Sequence, residues 1–119
     1  MSVRTVGIFG GVNINTQKTV VYTGCDILVG TPGRVMDLTL DNVIRFEEMQ
    51  KLVIDEFDEM LNLGFRTQLT AILAMMPKKR QNILFSATMT DEVDAVLNDY
   101  FDYPEEVTLS ASGTPLENI

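Results

Sequence analysis

The stretch KLVIDEFDEM, residues 51–60, runs from an apolar segment, Leu52-Val53-Ile54, straight into the carboxylates Asp55, Glu56, Asp58 and Glu59. The apolar half reads as a buried strand. Carboxylates this close repel one another unless a cation lies between them or a helix start relieves them. The acidic half is therefore either a metal-binding strand end or the acid-rich first turn of a helix.

The flanking sequence repeats the strand-then-turn pattern. RTVGIFGG (4–11) is a short β-rich run closed by Gly10-Gly11, and NINTQKTVVYT (13–23) opens with Asn and fits a helix. DILVG (26–30) is a second apolar run, after which TPGRVMDLTL starts a helix with Thr31 as its cap and Pro32 in the first turn. FRTQLTAILAMM carries Phe65, Leu69, Ile72, Leu73 and Met76 at helical spacing and ends at Pro77. NILFSAT is a fourth strand, TDEVDAVLNDYF a helix capped by Thr90, and EEVTL a last strand. Such alternation predicts an α/β fold, a parallel sheet with helices on both faces. Ligands of open parallel sheets bind at the carboxyl ends of the strands. TPGR, DEFD and SAT each follow a strand.

Composition sets the limits. With 119 residues, 45% hydrophobic and 22% charged, the chain is one domain at most and globular. Lone Cys25 closes no intramolecular disulfide, and without His or a second Cys the zinc and haem motifs are excluded; a buried inert thiol is expected. No apolar run nears the roughly 18 residues of a membrane span, and no leader resembles a signal peptide, so an intracellular protein, cytoplasmic or nuclear, is expected. The net charge of −8 argues against a generic nucleic-acid binder. All nine Lys and Arg lie in residues 1–80 with nine acids, whereas residues 81–119 hold eight acids and no base. A polyanion should meet the first two thirds, and the acidic remainder reads as a solvated face. The basic run PKKRQ (77–81) is likewise attributed to solvation.

LVIDEFDEML, with VGTPGR upstream and ILFSAT downstream, resembles the first RecA-like domain of DEAD-box ATP-dependent RNA helicases, over about residues 4–110. The order is that of the family: Gly10-Gly11, Thr31-Pro32-Gly33-Arg34, Asp55-Glu56-Phe57-Asp58, Ser86-Ala87-Thr88. The resemblance implies that Asp55 holds Mg²⁺ and Glu56 orients and polarises the water that attacks ATP. It implies that Asp58 hydrogen-bonds to Ser86 and Thr88, coupling the nucleotide to RNA separation. It further implies that Gly10, Gly11, Thr31, Pro32, Gly33 and Arg34 touch the RNA sugar-phosphate backbone. Elementary chemistry agrees: paired glycines allow close approach, a helix start offers free N–H groups to phosphate, and Arg adds a charge-assisted fork.

Two departures qualify the resemblance. The family usually has Ala where this chain has Phe57, and a ring there is expected to anchor the core. The phosphate-cradling G-x-x-x-x-G-K-[ST] does not occur in the 119 residues; Lys18-Thr19 follows Gln17, so the match fails. The expectation is a fragment: residues 1–109 the C-terminal portion of the first RecA-like helicase domain, residues 110–119 an interdomain linker towards a second RecA-like domain. Such a fragment should be inactive alone and prone to self-association through an open sheet edge. A non-catalytic RNA-backbone binding or interaction module with a helicase-like fold is the alternative. A DNA translocase fits TPGR with SAT less well, and an acid/base hydrolase fails because Asp55 and Glu56, being adjacent, diverge.

Overall fold

A computed structural model describes residues 2–101. In chain order the elements are β1 (Thr5–Ile8), α1 (Ile14–Tyr22), β2 (Ile27–Gly30), α2 (Pro32–Leu40), β3 (Lys51–Ile54), α3 (Phe57–Asn62), α4 (Arg66–Met75), β4 (Gln81–Leu84) and α5 (Asp91–Tyr100). The strand expected at EEVTL and the linker expected at 110–119 lie outside the described residues.

The strands pair in parallel. Thr5 lies opposite Ile27 and Ile8 opposite Gly30; Lys51 lies opposite Gln81 and Ile54 opposite Leu84. The α/β class and the parallel sense are those expected. Among the described residues, however, the strands form two two-stranded sheets, β1-β2 and β3-β4, instead of one. Alternating strands and helices dictate parallel pairing but leave open which strands become neighbours. A second difference concerns Leu52-Val53-Ile54, whose unbroken apolarity suggests a strand covered on both sides. Ile54 is buried and Leu52 half-buried, yet Val53 is 61% exposed, and its register partner Ile83 is exposed too.

Side chains tie the two pairs together. One cluster gathers Ile54, Phe57, Leu61, Leu69, Leu73, Val93, Val96, Leu97 and Phe101 from β3, α3, α4 and α5. The other gathers Val6 and Ile8 of β1, Leu38 of α2, Val43, Ile44 and Phe46 of the following loop, and Ile72 and Met76. Helix α4 serves both, because its 3.6-residue repeat turns Leu69 and Leu73 one way and Ile72 the other. Leu52 packs against both clusters as well.

Local chemistry sets the helix ends. Asn13 accepts from the Asn15 N–H at 2.8 Å to start α1, and Thr90 accepts from the Val93 N–H at 3.2 Å to start α5. Thr31 holds the expected cap position of α2 in extended conformation without a side-chain capping bond; Pro32 supplies the first turn. Gly30 is required where β2 passes under α2, since a Cβ there would lie 2.7 Å from both Ile8 Cγ1 and Val35 Cγ2. Arg80, attributed above to solvation, instead has a structural role. Its guanidinium lies 5.8 Å from the Phe101 ring centre and donates to the carbonyls of Pro77 and Tyr100 and to Asn82 Oδ1.

Candidate functional site

The carboxyl end of β3 turns into α3 through a single residue. Glu56 has φ 52° and ψ 47°, the left-handed region, which costs a non-glycine residue about 1–2 kcal/mol. Three main-chain and side-chain bonds hold the turn. Asp55 Oδ1 accepts from the Glu56 N–H at 2.8 Å, Phe57 N–H donates to Phe85 O at 2.9 Å, and Phe85 N–H donates to Ile54 O at 2.8 Å. Phe57 is fully buried beneath the turn, the core anchor expected of it. With the ring fixed below, Asp55 and Glu56 are left exposed at the strand end. Strain of this kind persists only where the surroundings over-determine it, and it concentrates at functional sites.

Asp58, in the first turn of α3, is 5% exposed and fully engaged. Its Oδ2 accepts from Thr88 Oγ1 at 2.7 Å and from Thr88 N–H at 3.0 Å, and its Oδ1 accepts from Glu59 N–H at 3.0 Å. The Thr88 hydroxyl, first, then the N–H groups of Glu59, Thr88 and Ala87, hold the Asp58 carboxyl below the usual carboxylate range, against the opposing effect of burial. Ser86 does not reach Asp58. Its hydroxyl donates to Thr88 O at 2.8 Å, so it fixes Thr88, which alone of the pair bonds the carboxylate. The difference is steric: Ser86 and Thr88 lie two residues apart, and the turn bends one hydroxyl onto the other's carbonyl.

A second corner forms where β1 and β2 end together. Thr31 N–H donates to Ile8 O at 3.2 Å, which sets Gly10-Gly11 beside the start of α2. Gly11 has φ +84°, a conformation that suits glycine, and nothing lies within 4 Å of where a Cβ on Gly10, Gly11 or Gly33 would stand. The backbone here is open to a ligand. Pro32 is buried and positions the turn. Arg34 points inward: Nη1 donates to Val12 O at 2.9 Å and to Gln17 Oε1 at 2.8 Å, and Nε lies 3.9 Å from Asp37 Oδ2. Gln17 Nε2 in turn donates to Phe9 O at 3.0 Å. Sequence reasoning missed Gln17 as a site residue. The signal was its spacing: Ile14, Gln17 and Val21 share one face of α1, so a polar side chain interrupts an apolar stripe.

Asp55 is an exposed carboxylate at the strand end that could take a hard cation. One of its oxygens is bonded to a main-chain N–H while the side chain stays exposed. Among the described residues no group of three or more acids, His or Cys is placed to hold a metal. A lone carboxylate suits Mg²⁺, which binds through one or two carboxylates together with substrate phosphates.

Comparison with known proteins accords with this geometry. Residues 1–96 match the DEAD/DEAH box helicase family. The chain is 38% identical over 109 residues to the DEAD-box ATP-dependent RNA helicase CshA of Streptococcus pneumoniae, covering 92% of this chain and 21% of that protein. It is 36% identical over 117 residues to the ATP-dependent RNA helicase DbpA of Bacillus subtilis, covering 98% and 24%. A crystal structure of a hypothetical ATP-dependent RNA helicase from Sulfolobus tokodaii superposes with a TM-score of 0.82 at 33% identity, covering 87% of this chain and 31% of that one. The chain thus spans about a fifth to a quarter of the length of these curated relatives. The matched residues include the glycine pair, TPGR, the acidic turn and Thr88, and the chain belongs to the DEAD/DEAH box helicase family.

Proposed function

We propose that this chain is part of the motor of an ATP-dependent RNA helicase, an RNA-stimulated ATPase that separates RNA duplexes. One observation carries the reading: the buried Asp58 carboxylate grips Thr88 through both hydroxyl and N–H, so the acidic strand end and the Ser-Ala-Thr turn move as one piece. Asp55 would hold Mg²⁺, which neutralises charge on the ATP phosphates. Glu56, held outward by its left-handed turn, accepts a hydrogen bond from the attacking water and orients it. Asp58, Ser86 and Thr88 pass the state of the nucleotide to the RNA side.

RNA is read at the other corner. Gly10 and Gly11 let the sugar-phosphate backbone approach, and the free N–H groups of Gly33 and Arg34 in the first turn of the Thr31-Pro32-Gly33-Arg34 helix start favour phosphate. Such contacts bind without regard to sequence. On this reading residues 1–109 belong to the first RecA-like domain and residues 110–119 form the linker to a second, and the protein works inside the cell, in cytoplasm or nucleus. No helix among the described residues is long and apolar enough to cross a membrane. Each two-stranded sheet among the described residues leaves unpaired strand edges, and exposed Val29, Val53 and Ile83 add apolar surface beside them, which together favour self-association of the isolated chain through an open edge. Light scattering that gives a monomer at high concentration would remove that part.

The test is phosphate release from Mg-ATP, with and without single-stranded RNA, comparing wild type with Glu56→Gln. This chain, having no G-x-x-x-x-G-K-[ST], should show no turnover. A longer form carrying that loop should turn over ATP, faster with RNA, and lose activity on Glu56→Gln. RNA-stimulated turnover that survives Glu56→Gln in the longer form would overturn the assignment.

A further inference from the structure

We propose that Gln17 is a positioning residue for the RNA-backbone corner, and that Arg34 serves the same clamp from inside the protein, not as a phosphate ligand. The inference rests on the RNA reading above. Helix α1 spans nine residues, and the one it buries is polar: Gln17, 5% exposed. A buried amide is costly unless both its ends are bonded. Both are: Nε2 donates to Phe9 O, and Oε1 accepts from Arg34 Nη1, which also donates to Val12 O.

The carbonyls so held flank Gly10-Gly11 on either side. No hydrogen bond within the described residues engages the Gly10 or Gly11 N–H. The clamp therefore grips the loop by its flanking acceptors and leaves the glycine donors free. Two glycines would otherwise carry the largest conformational freedom of any residue pair, and a ligand would have to order them on each binding event. Arg34 is committed to this task. Its side chain is 14% exposed, with Nη1 shared between two acceptors and Asp37 beside Nε. The Lys18–Asp41 ion pair at 2.8 Å fastens α1 to the far end of α2, so the clamp sits between helices already held together.

The test uses this chain, a fluorescent oligouridylate and anisotropy titrations across a range of KCl. Gln17→Met, similar in size and helix-forming, should weaken binding at least about tenfold, the cost of re-ordering a residue on binding. Arg34→Gln should do the same, and the double variant should be no weaker than the worse single. Gln17→Glu keeps the acceptor for Arg34 and should recover part of the loss. The slope of log affinity against log salt should stay unchanged in all of them. A lost phosphate contact would make it shallower by about 0.7. A slope that falls so in Arg34→Gln while Gln17→Met binds as wild type overturns the proposal.

A second readout needs no RNA. In Gln17→Met the ¹⁵N order parameters of Gly10 and Gly11 should drop from about 0.85 towards 0.6. Unchanged order parameters also overturn the clamp. A drop in a protein whose wild type binds no RNA supports the clamp and overturns the RNA reading instead. Should Gln17→Met fail to fold, Arg34→Gln gives both readouts from the other end of the clamp.

Discussion

Replacing Phe57 by Ala converts the acidic motif to the form usual in the family, so motif comparison alone expects a neutral or improved protein. Packing expects the reverse. Phe57 is the largest fully buried side chain of the fold and sits among Ile54, Leu61, Leu69, Leu73, Val93 and Val96, contributed by one strand and three helices. Removal of a fully buried ring costs about 3–5 kcal/mol, the upper part of that range applying where the walls cannot collapse. Here the main chain of Phe57 is pinned to Phe85, which limits collapse from below. Against the roughly 5–15 kcal/mol by which domains are stable, that is a large share. Urea unfolding followed by far-UV circular dichroism should show the midpoint falling with the slope unchanged. A loss under about 1.5 kcal/mol would refute the reasoning, since it would mean that α3 repacks freely and the ring is no wedge.

Three more outcomes follow from the acidic turn. Thr88→Val leaves Asp58 one hydrogen bond short and should cost about 1–3 kcal/mol in urea unfolding; a cost below half of one kcal/mol would show the hydroxyl to be dispensable. Because Asp58 has a folded pKa lowered chiefly by that hydroxyl, its stabilisation is complete above the ordinary aspartate value of about 3.9 and is lost as pH falls through the lower folded value. Unfolding between pH 7 and pH 2 should show this acid loss in wild type and a smaller one in Thr88→Val; equal losses would place the linkage elsewhere. Glu56→Gly relieves the left-handed strain of about 1–2 kcal/mol at an entropic cost of about 0.5–1 kcal/mol, so stability should hold or rise slightly. A fall of more than about 1 kcal/mol would show that the Glu56 side chain stabilises the turn.

Much of this was legible before any coordinates. Apolar runs of three or four residues ending in Gly, Asp or Ser mark the strands, and the Leu69-Ile72-Leu73 spacing marks α4 and its two buried faces. The large ring of Phe57 marks a core candidate, although ring size does not decide burial, since Phe9 and Phe85 are each 50% exposed. What could not be read are features that depend on where chain segments meet. Nothing in Leu28 or Leu52 says that β2 and β3 are not hydrogen-bonded neighbours. Nothing in a Glu favours φ 52°, which is imposed by Phe57 and Phe85 from either side. Arg34 reads from sequence as a phosphate fork because its charge is visible there, while the acceptors that claim it, Val12 O and Gln17 Oε1, are 22 and 17 residues away.

The same long-range bonds explain how two short motifs can act as one device. Main-chain bonds Phe57 N–H to Phe85 O and Phe85 N–H to Ile54 O lace the end of β3 to the residue after β4. One residue after Phe57, Asp58 takes both donors of Thr88, which lies three residues after Phe85, and Ser86 fixes the Thr88 carbonyl. Between Ile54 and Asp58 on one side and Phe85 and Thr88 on the other, little can shift without breaking a bond to a buried partner. A displacement at Glu56, the exposed apex of the turn, can relax only along the strand or through Thr88. The strand is held by the Ile54–Leu84 register and by a core that closes on Phe57. Thr88 is exposed beyond its bond to Asp58, which makes it the compliant end. On the proposed helicase reading, the Asp58–Thr88 bond is the route from the acidic turn to the RNA-facing surface. On that same reading, in a chain that also carries the phosphate loop, Asp58→Asn should therefore separate two activities, lowering duplex unwinding far more than RNA-free ATP turnover. Equal loss of both would mean that Asp58 only holds the turn together.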